Sequence, residues 1–229
     1  DMDSWLTFFG IWIAEGWCDT NLNKSGRNHY QLSISIDKPR VKRELFPALE
    51  KMGYNYNITG EKCRINDFQL YNYMKDLSVG AVNKYLPDWV WELSQKQSIK
   101  LIESMILGDG CYKEFSVIYY TSSVKLADDF MKLCLHAGWA CNKSLHHPVG
   151  NQSTMKDGRV ITATHDHWRL AVIKKRCNPS VNHGHHKTQN IQKEELFDYE
   201  GEVFCLEVPS EIFYVRKNGK PVWTGNSRA

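Results

Sequence analysis

Two stretches of this chain place a carboxylate where a helix favours one least. Phe8-Phe9-Gly10-Ile11-Trp12-Ile13-Ala14-Glu15-Gly16 and Ile102-Glu103-Ser104-Met105-Ile106-Leu107-Gly108-Asp109-Gly110 are both mostly apolar and both carry a small residue in third place. Both end in an acid followed by glycine. The C-terminal turn of a helix is the negative end of its dipole and prefers cations. A carboxylate set against that preference twice, at matching positions, points to a charge wanted for chemistry. Small Gly10 and Ser104 would let the two helix backbones approach closely, by the logic that governs tight helix pairs in lipid. Side by side, the helices would bring Glu15 and Asp109 together. Two adjoining carboxylates repel unless a divalent cation lies between them. Mg²⁺, or Mn²⁺, suits such oxygen ligands, and such a metal can activate water and stabilise the leaving oxygen of a phosphodiester.

The elements that must position these acids read in the same order twice. In the first half a helix running to about residue 14, capped by Ser4 or Asp3, precedes the alternating strand 29–36 and its hairpin partner 17–23. Residues 39–52 have helical apolar spacing with Gly53 as stop, 54–59 and 62–65 form a second hairpin, and Asp67 caps a helix to about 77. The second half offers a helix over 96–108 and strands at 111–113 and 115–120. A helix over 124–137, capped by Ser122 or Ser123, and strands at 139–146 and 162–173 follow, with a polar loop at 148–159. The composition then turns basic and His-rich, with His183-Gly184-His185-His186. That tract lacks the companion ligand spacing of a zinc site and reads as a basic linker. Short strands at 202–208, 212–215 and 222–223 close the chain, with Asn218-Gly219 as a hairpin turn. So small a piece cannot bury a core alone and needs a partner.

Bulk properties set the outer bounds. The 229 residues suffice for one large domain or two small ones, and 42% hydrophobic content marks a globular chain. The net charge of +3 permits a basic face without proving one. Seven cysteines with no CxxC pair argue against a disulfide framework or a zinc ribbon and fit an intracellular, reducing compartment. No apolar run is long enough to span a membrane.

The two acid-bearing helices resemble the paired motifs of the LAGLIDADG homing endonucleases in their single-chain, two-motif form. The connecting segments agree, in order: Lys84-Tyr85-Leu86-Pro87 leading through Trp89 and Leu93, and Tyr120-Thr121-Ser122-Ser123 leading through Leu126-Ala127-Asp128-Asp129 to Gly138. The resemblance covers about residues 4–175. It implies an α+β fold, a pseudo-twofold pair of αββαββα halves whose sheets saddle the major groove of double-stranded DNA at a long site. Glu15 and Asp109 would be the metal-binding acids. A lysine from each half would approach them, Lys84 from the first and Lys174 or the adjacent Lys175 from the second. The sheet faces turned from the helices would meet phosphates and base edges through Arg27, Gln31, Ser33, Ser35, Lys62 and Arg64 in half one. Lys113, Ser116, Lys143, His165, His167 and Arg169 would do so in half two.

The tail, from Gly201-Glu202-Val203-Phe204-Cys205 to Val222-Trp223-Thr224-Gly225-Asn226-Ser227, resembles the C-terminal splicing region of an intein, a short all-β piece of a Hint-type domain. By that likeness Asn226 would cyclise and cleave the next peptide bond, and Ser227 would first accept the upstream acyl group. Ser227-Arg228-Ala229 would begin the host protein, the extein. Cys205 with Thr224 resembles a minority type with an internal cysteine acceptor; a plain buried Cys205 is the alternative. Gly225 stands where many inteins have His. The likeness also asks for an N-terminal splicing segment ahead of Trp5, expected as a separate intein fragment or a removed one. The expected organisation is 1–95 and 96–190 for the endonuclease halves with the linker, 191–226 for the splicing segment and 227–229 for the extein. The function expected is site-specific double-strand cleavage; a DNA-binding and splicing module with a decayed nuclease is the alternative.

Overall fold

A computed structural model describes residues 1–22, 28–113, 116–154, 158–175, 196–217 and 220–225. Helix α1 (Met2–Glu15) starts at Asp1, whose carboxylate accepts from Ser4 N at 3.2 Å, so the cap lies ahead of the expected Ser4 or Asp3. Every residue from Leu6 to Ala14 is buried, as an all-round apolar helix must be. Strands β1 (Gly16–Leu22) and β2 (Asn28–Ser35) lead to α2 (Pro39–Met52), which Pro39 opens and Gly53, at φ +77°, ends. Then come β3 (Tyr56–Thr59), β4 (Lys62–Ile65) and α3 (Phe68–Met74), capped by Asp67. After a connection with three short 3₁₀ turns, α4 (Gln95–Asp109) opens on a reciprocal Ser94–Gln97 capping box. It is followed by β5 (Gly110–Lys113), β6 (Ser116–Thr121), α5 (Val124–His136, capped by Ser123) and β7 (Ala140–His147). The short pair β8 (Gln152–Thr154) and β9 (Val160–Thr162) precedes β10 (His167–Ile173). The expected strand 162–173 is therefore interrupted, and the expected polar loop carries a hairpin.

The two four-stranded antiparallel sheets have the same topology, β1-β2-β4-β3 and β5-β6-β10-β7. Against them lies a single hydrophobic core that runs from Leu6 through Leu32, Ile34 and Ile65 to Tyr119, Phe130 and Leu170. Helices α1 and α4 are in close contact within it. A Cβ added to Gly10 would lie 2.6 Å from Ser104 Cβ, and one added to Gly108 would lie 2.4 Å from Ala14 Cβ. The contact thus repeats one helical turn further on, and the pattern Gly10-x-x-x-Ala14 against Ser104-x-x-x-Gly108 gives two rungs where Gly10 and Ser104 alone gave one.

These elements form one compact unit, Asp1–Arg176; Cys177–Ala229 form another. In the second unit β11 (Ile212–Lys217) pairs with β12 (Lys220–Gly225). Residues 202–208 make no strand, contrary to expectation. Their alternation of apolar residues is real, but among the described residues no strand pairs with them: their backbone bonds are local, Tyr199 Oη donating to Glu202 O and Glu211 N to Val208 O, and Val203 and Phe204 are 84% and 81% exposed. Among the described residues no helix is long and apolar enough to cross a membrane.

Candidate active site

Glu15 and Asp109 are the last residues of α1 and α4, and the close packing of those helices brings their charges together. A Cβ on Gly108 would lie 3.0 Å from Glu15 Cγ and 3.4 Å from Glu15 Oε1, so the Glu15 carboxylate rests beside the residue preceding Asp109. Burial, and then the charge of Glu15, push the Asp109 carboxyl up to about 6; Lys84, Lys38 and Arg40 pull it the other way. Lys84 donates to the carbonyl of Ala14 at 2.9 Å. Its burial lowers its pKa, while Asp109 and Glu15 favour its charged form. The Lys84 backbone is held in turn: its carbonyl accepts from Ser123 Oγ at 2.6 Å, and Leu86 N donates to the buried Asp129 at 3.0 Å.

Two residues at the start of α2 complete the cluster and were not anticipated. Lys38 forms an ion pair with Glu15 and donates to Gly108 O at 2.9 Å. Arg40 donates to Leu107 O at 2.6 Å, and through Nη2 to Gly108 O at 3.1 Å and Gly110 O at 2.8 Å. Cations on the terminal carbonyls of α4 offset the dipole that makes Asp109 unfavourable there. A signal was present. Lys38-Pro39-Arg40 puts cations at a helix N-terminus with no acid in the first turn, the same inversion that exposed the acids.

Two clefts flank the pair. One, of about 330 Å³, holds Glu15, Gly16, Trp17 and Ser35. The other, of about 200 Å³, holds Asp109, Tyr120, Thr121, Ser122 and His167. Ala14, Ala81 and Lys84 line both. The donors fit a hard divalent cation: two carboxylate groups, of which Asp109 is raised by its burial and by the charge of Glu15. Among the described residues no cluster of three or more His, Cys, Asp and Glu forms a metal site. Water and phosphate oxygens would have to fill the remaining positions, as suits Mg²⁺.

Lys174 is not part of this cluster. Its ammonium lies 4.3 Å from the Trp139 ring centroid and 3.4 Å from Glu103 Oε1, on the body of α4 rather than its end. Aromatic and acidic neighbours close to β10 satisfy it locally. Lys175 follows it at the end of the described stretch.

The sheet face turned from the helices in half one carries Gln31, Ser33 and Ser35 on β2, with Ser33 opposite Arg64 and Ser35 opposite Lys62 on β4. Lys62 is exposed and Arg64 half-buried, but Gln31 and Ser33 are 9% and 1% exposed. Gln31 donates to Asn66 at 2.9 Å and Ser33 to Asp19 at 3.3 Å. Trp17 holds Asp19 through a 2.5 Å bond and lies under the Lys62 ammonium, so longer neighbours outreach these short groups. Arg27 lies outside the described residues. In half two, Lys113 and Ser116 face each other across β5 and β6. Arg169 lies between Tyr120 and Ser144, next to the core residue Leu170 and so on the opposite face. His165 is exposed in the loop before β10, and His167 opens that strand.

Lys143 corrects the expectation outright. It pairs across strands with core residue Leu170, its side chain is 6% exposed, and its ammonium bonds Asp128 of α5 at 2.8 Å beneath Trp168. It belongs to the helix-facing side. Lys143→Met is therefore expected to cost about 2 kcal/mol, less than for a fully buried pair because Asp128 keeps some solvent contact. Denaturant titration measures that loss.

In the second unit Thr224 pairs with Phe213 and Cys205 is exposed, which removes the buried reading of that cysteine. A Cβ at Gly225 would come 3.0 Å from Glu211 O, a reason for glycine at that position. Asn226, Ser227 and His183-Gly184-His185-His186 lie outside the described residues.

No protein-family profile matches the chain. It is 41% identical, over its whole length, to part of the DNA-directed RNA polymerase subunit beta C-terminal section of Stigeoclonium helveticum. Over 99% of its length it is 26% identical to part of the ATP-dependent Clp protease proteolytic subunit of Chlamydomonas moewusii. The chain spans only 24% and 32% of these relatives. Among solved structures, I-DmoI in complex with DNA and Ca aligns over 75% of this chain and 82% of that one, with a TM-score of 0.51 and 13% identity. An I-DmoI variant with its target DNA in the presence of Mg aligns over 75% and 89%, again at 0.51, with 11% identity. I-DmoI is a homing endonuclease. The likeness establishes a shared fold.

Proposed function

We propose that residues 1–175 are a metal-dependent, site-specific DNA endonuclease of the LAGLIDADG type, carried within an intein whose C-terminal splicing segment is the second unit. The observation that carries the nuclease reading is the meeting of Glu15 and Asp109 at the ends of two tightly packed helices. Each acid lies beside its own cleft, between two sheets of equal topology. Such an arrangement offers one acid to each strand of a duplex. A divalent ion, Mg²⁺ or Mn²⁺, would be held by Glu15 and Asp109 and would lower the pKa of a bound water. Lys84, half-buried and common to both clefts, adds positive charge where phosphate charge builds. Lys62, Arg64 and Arg169 are the leading candidates for contacts to the DNA.

The intein reading is supported by the two relatives. An RNA polymerase subunit and a protease subunit have no common chemistry, yet this chain aligns with a minor part of each along nearly its whole length. An inserted element shared by both accounts for that. Asn226 and Ser227 are proposed for C-terminal cleavage and acyl transfer, with Cys205 and Thr224 as auxiliary groups. The exposed apolar residues Leu196, Phe197, Phe204 and Trp223 are proposed to be covered by an N-terminal intein fragment. A reducing, intracellular setting fits the free cysteines. The second reading, a decayed nuclease, draws on Lys38, whose ammonium already occupies the Glu15 carboxylate.

Cleavage selection over a randomised duplex library, with Mg²⁺ and with EDTA, tests the nuclease. A recovered site cut only with the metal is the expected result; retention of the library by the protein with no cutting in either Mg²⁺ or Mn²⁺ would favour the decayed form. For the tail, mass spectrometry should detect loss of Ser227-Arg228-Ala229, and Asn226→Ala should prevent it. Equal loss from that variant would defeat the assignment.

A further inference from the structure

The two clefts beside the acids carry unequal groups, and strand register gives the reason. Gly16 pairs with Ile34 and Gly110 with Tyr119, so β2 and β6 correspond at these positions. On the next strand Ile34 faces Cys63 and Tyr119 faces Leu170. Three residues before Cys63 is Gly60, in a tight turn at φ +58°; three before Leu170 is His167. The first half has no side chain at this point. The second half has an imidazole, because its strands β7 and β10 are joined through the β8–β9 hairpin instead of a tight turn. A register irregularity between His167 and Trp168 re-aims the backbone there. His167 Nε2 lies 3.2 Å from Ser122 Oγ, and both line the Asp109 cleft together with Lys84. The Glu15 cleft has Trp17 and Ser35 on its sheet side and, among the described residues, no histidine.

We infer that His167, braced by Ser122, contacts the scissile phosphate of the strand served by Asp109 and has no equivalent at the other strand. The inference rests on the endonuclease reading and makes the two active clefts chemically unequal. With Ser122 Oγ donating to Nε2, the ring proton resides on Nδ1, which donates a hydrogen bond to a nonbridging phosphate oxygen. During hydrolysis the water oxygen bonds to phosphorus and the ester oxygen departs with its bonding pair. One water proton passes through solvent to that leaving oxygen. Charge accumulates on the nonbridging oxygens, where a fixed donor is worth most. His167 keeps its own proton throughout.

The test uses the full chain with Mg²⁺ and a duplex recovered by the cleavage selection, each strand carrying its own dye. His167→Ala is expected to slow one strand about 100-fold and the other by less than about twofold, with nicked duplex accumulating. His167→Gln, which keeps a donor, should recover part of the loss, and Ser122→Ala should slow the same strand to a smaller extent. Both side chains are at the surface of the cleft, and unchanged melting temperatures will show that the variants fold. Equal slowing of both strands, or of neither, overturns the inference while leaving the nuclease intact. A selection from which no cleaved duplex is recovered brings down the endonuclease reading and this inference with it.

Discussion

Asp109→Asn should abolish DNA cleavage and, in the absence of metal, make the protein more stable at neutral pH. The carboxyl is held at about 6 in the folded chain, against about 3.9 for an unfolded aspartate. Its pKa is therefore raised on folding. The stability associated with its protonated form is fully present below the unfolded value and is lost as pH rises through about 6. At pH 7 the ionised group costs on the order of 3 kcal/mol, an amount that Asn, neutral and nearly isosteric, does not incur. For a chain of this size the melting temperature of the variant should exceed that of the wild type by about 5–10 °C at pH 7, with the gap closing below about pH 4. Divalent cations should raise the wild-type melting temperature and leave the variant unmoved. Metal affinity should also weaken below about pH 6, as protons compete for the same oxygens. Cleavage should fall at least about 1,000-fold in the variant. A variant that is less stable at pH 7, or a gap that persists at pH 3, would mean that burial and Glu15 do not govern this carboxylate.

The second large effect concerns the helix pair itself. Gly10→Val should cost more than about 3 kcal/mol, because overpacking there meets backbone as well as side chain, and Gly108→Val should cost somewhat less, because it meets the side chains of Ala14 and Glu15. At Gly10 even a Cβ comes within 2.9 Å of Met105 N and 3.0 Å of Leu101 O. Gly108→Ala is the milder change, since its nearest neighbour is a single methyl, Ala14 Cβ at 2.4 Å. The exchanged pair Ala14→Gly with Gly108→Ala should recover most of the lost stability, because the helix propensity lost at 14 is offset by that gained at 108. Ser104→Gly should rescue Gly10→Ala only in part, because the backbone atoms remain. Thermal unfolding of the singles and doubles measures this. Strict additivity of the exchanged pair would show that positions 14 and 108 are not in contact. Cleavage by Gly108→Ala should fall more than the loss of folded protein explains, since separating the helices separates the acids.

How far these features were legible depended on the range of the interactions behind them. Helix α2 could be read to the residue from Pro39, its apolar spacing and Gly53, and β4 from its place after the turn Gly60-Glu61, because caps, glycine stops and turns act within a few positions. Lys143 was misassigned although a signal existed. It has the same parity along β7 as Cys141, which is 4% exposed, and so shares its face. Residues 202–208 had the pattern of a strand but no partner, and pattern alone supplies no hydrogen bonds.

The sequence by itself determined that two apolar helices would each end in an acid, that small residues would let them touch, and that each half would place two hairpins around a second helix. Those are consequences of local chemistry. Only the tertiary structure decided that Lys38 and Arg40, rather than Lys174, stand beside the acids. It also decided that Ser123 holds the backbone of Lys84 and that His167 joins one cleft alone. Each of these depends on which residue of a distant element lies opposite. Strand register and the close approach of Gly10 to Ser104 set those juxtapositions, and no local pattern encodes them.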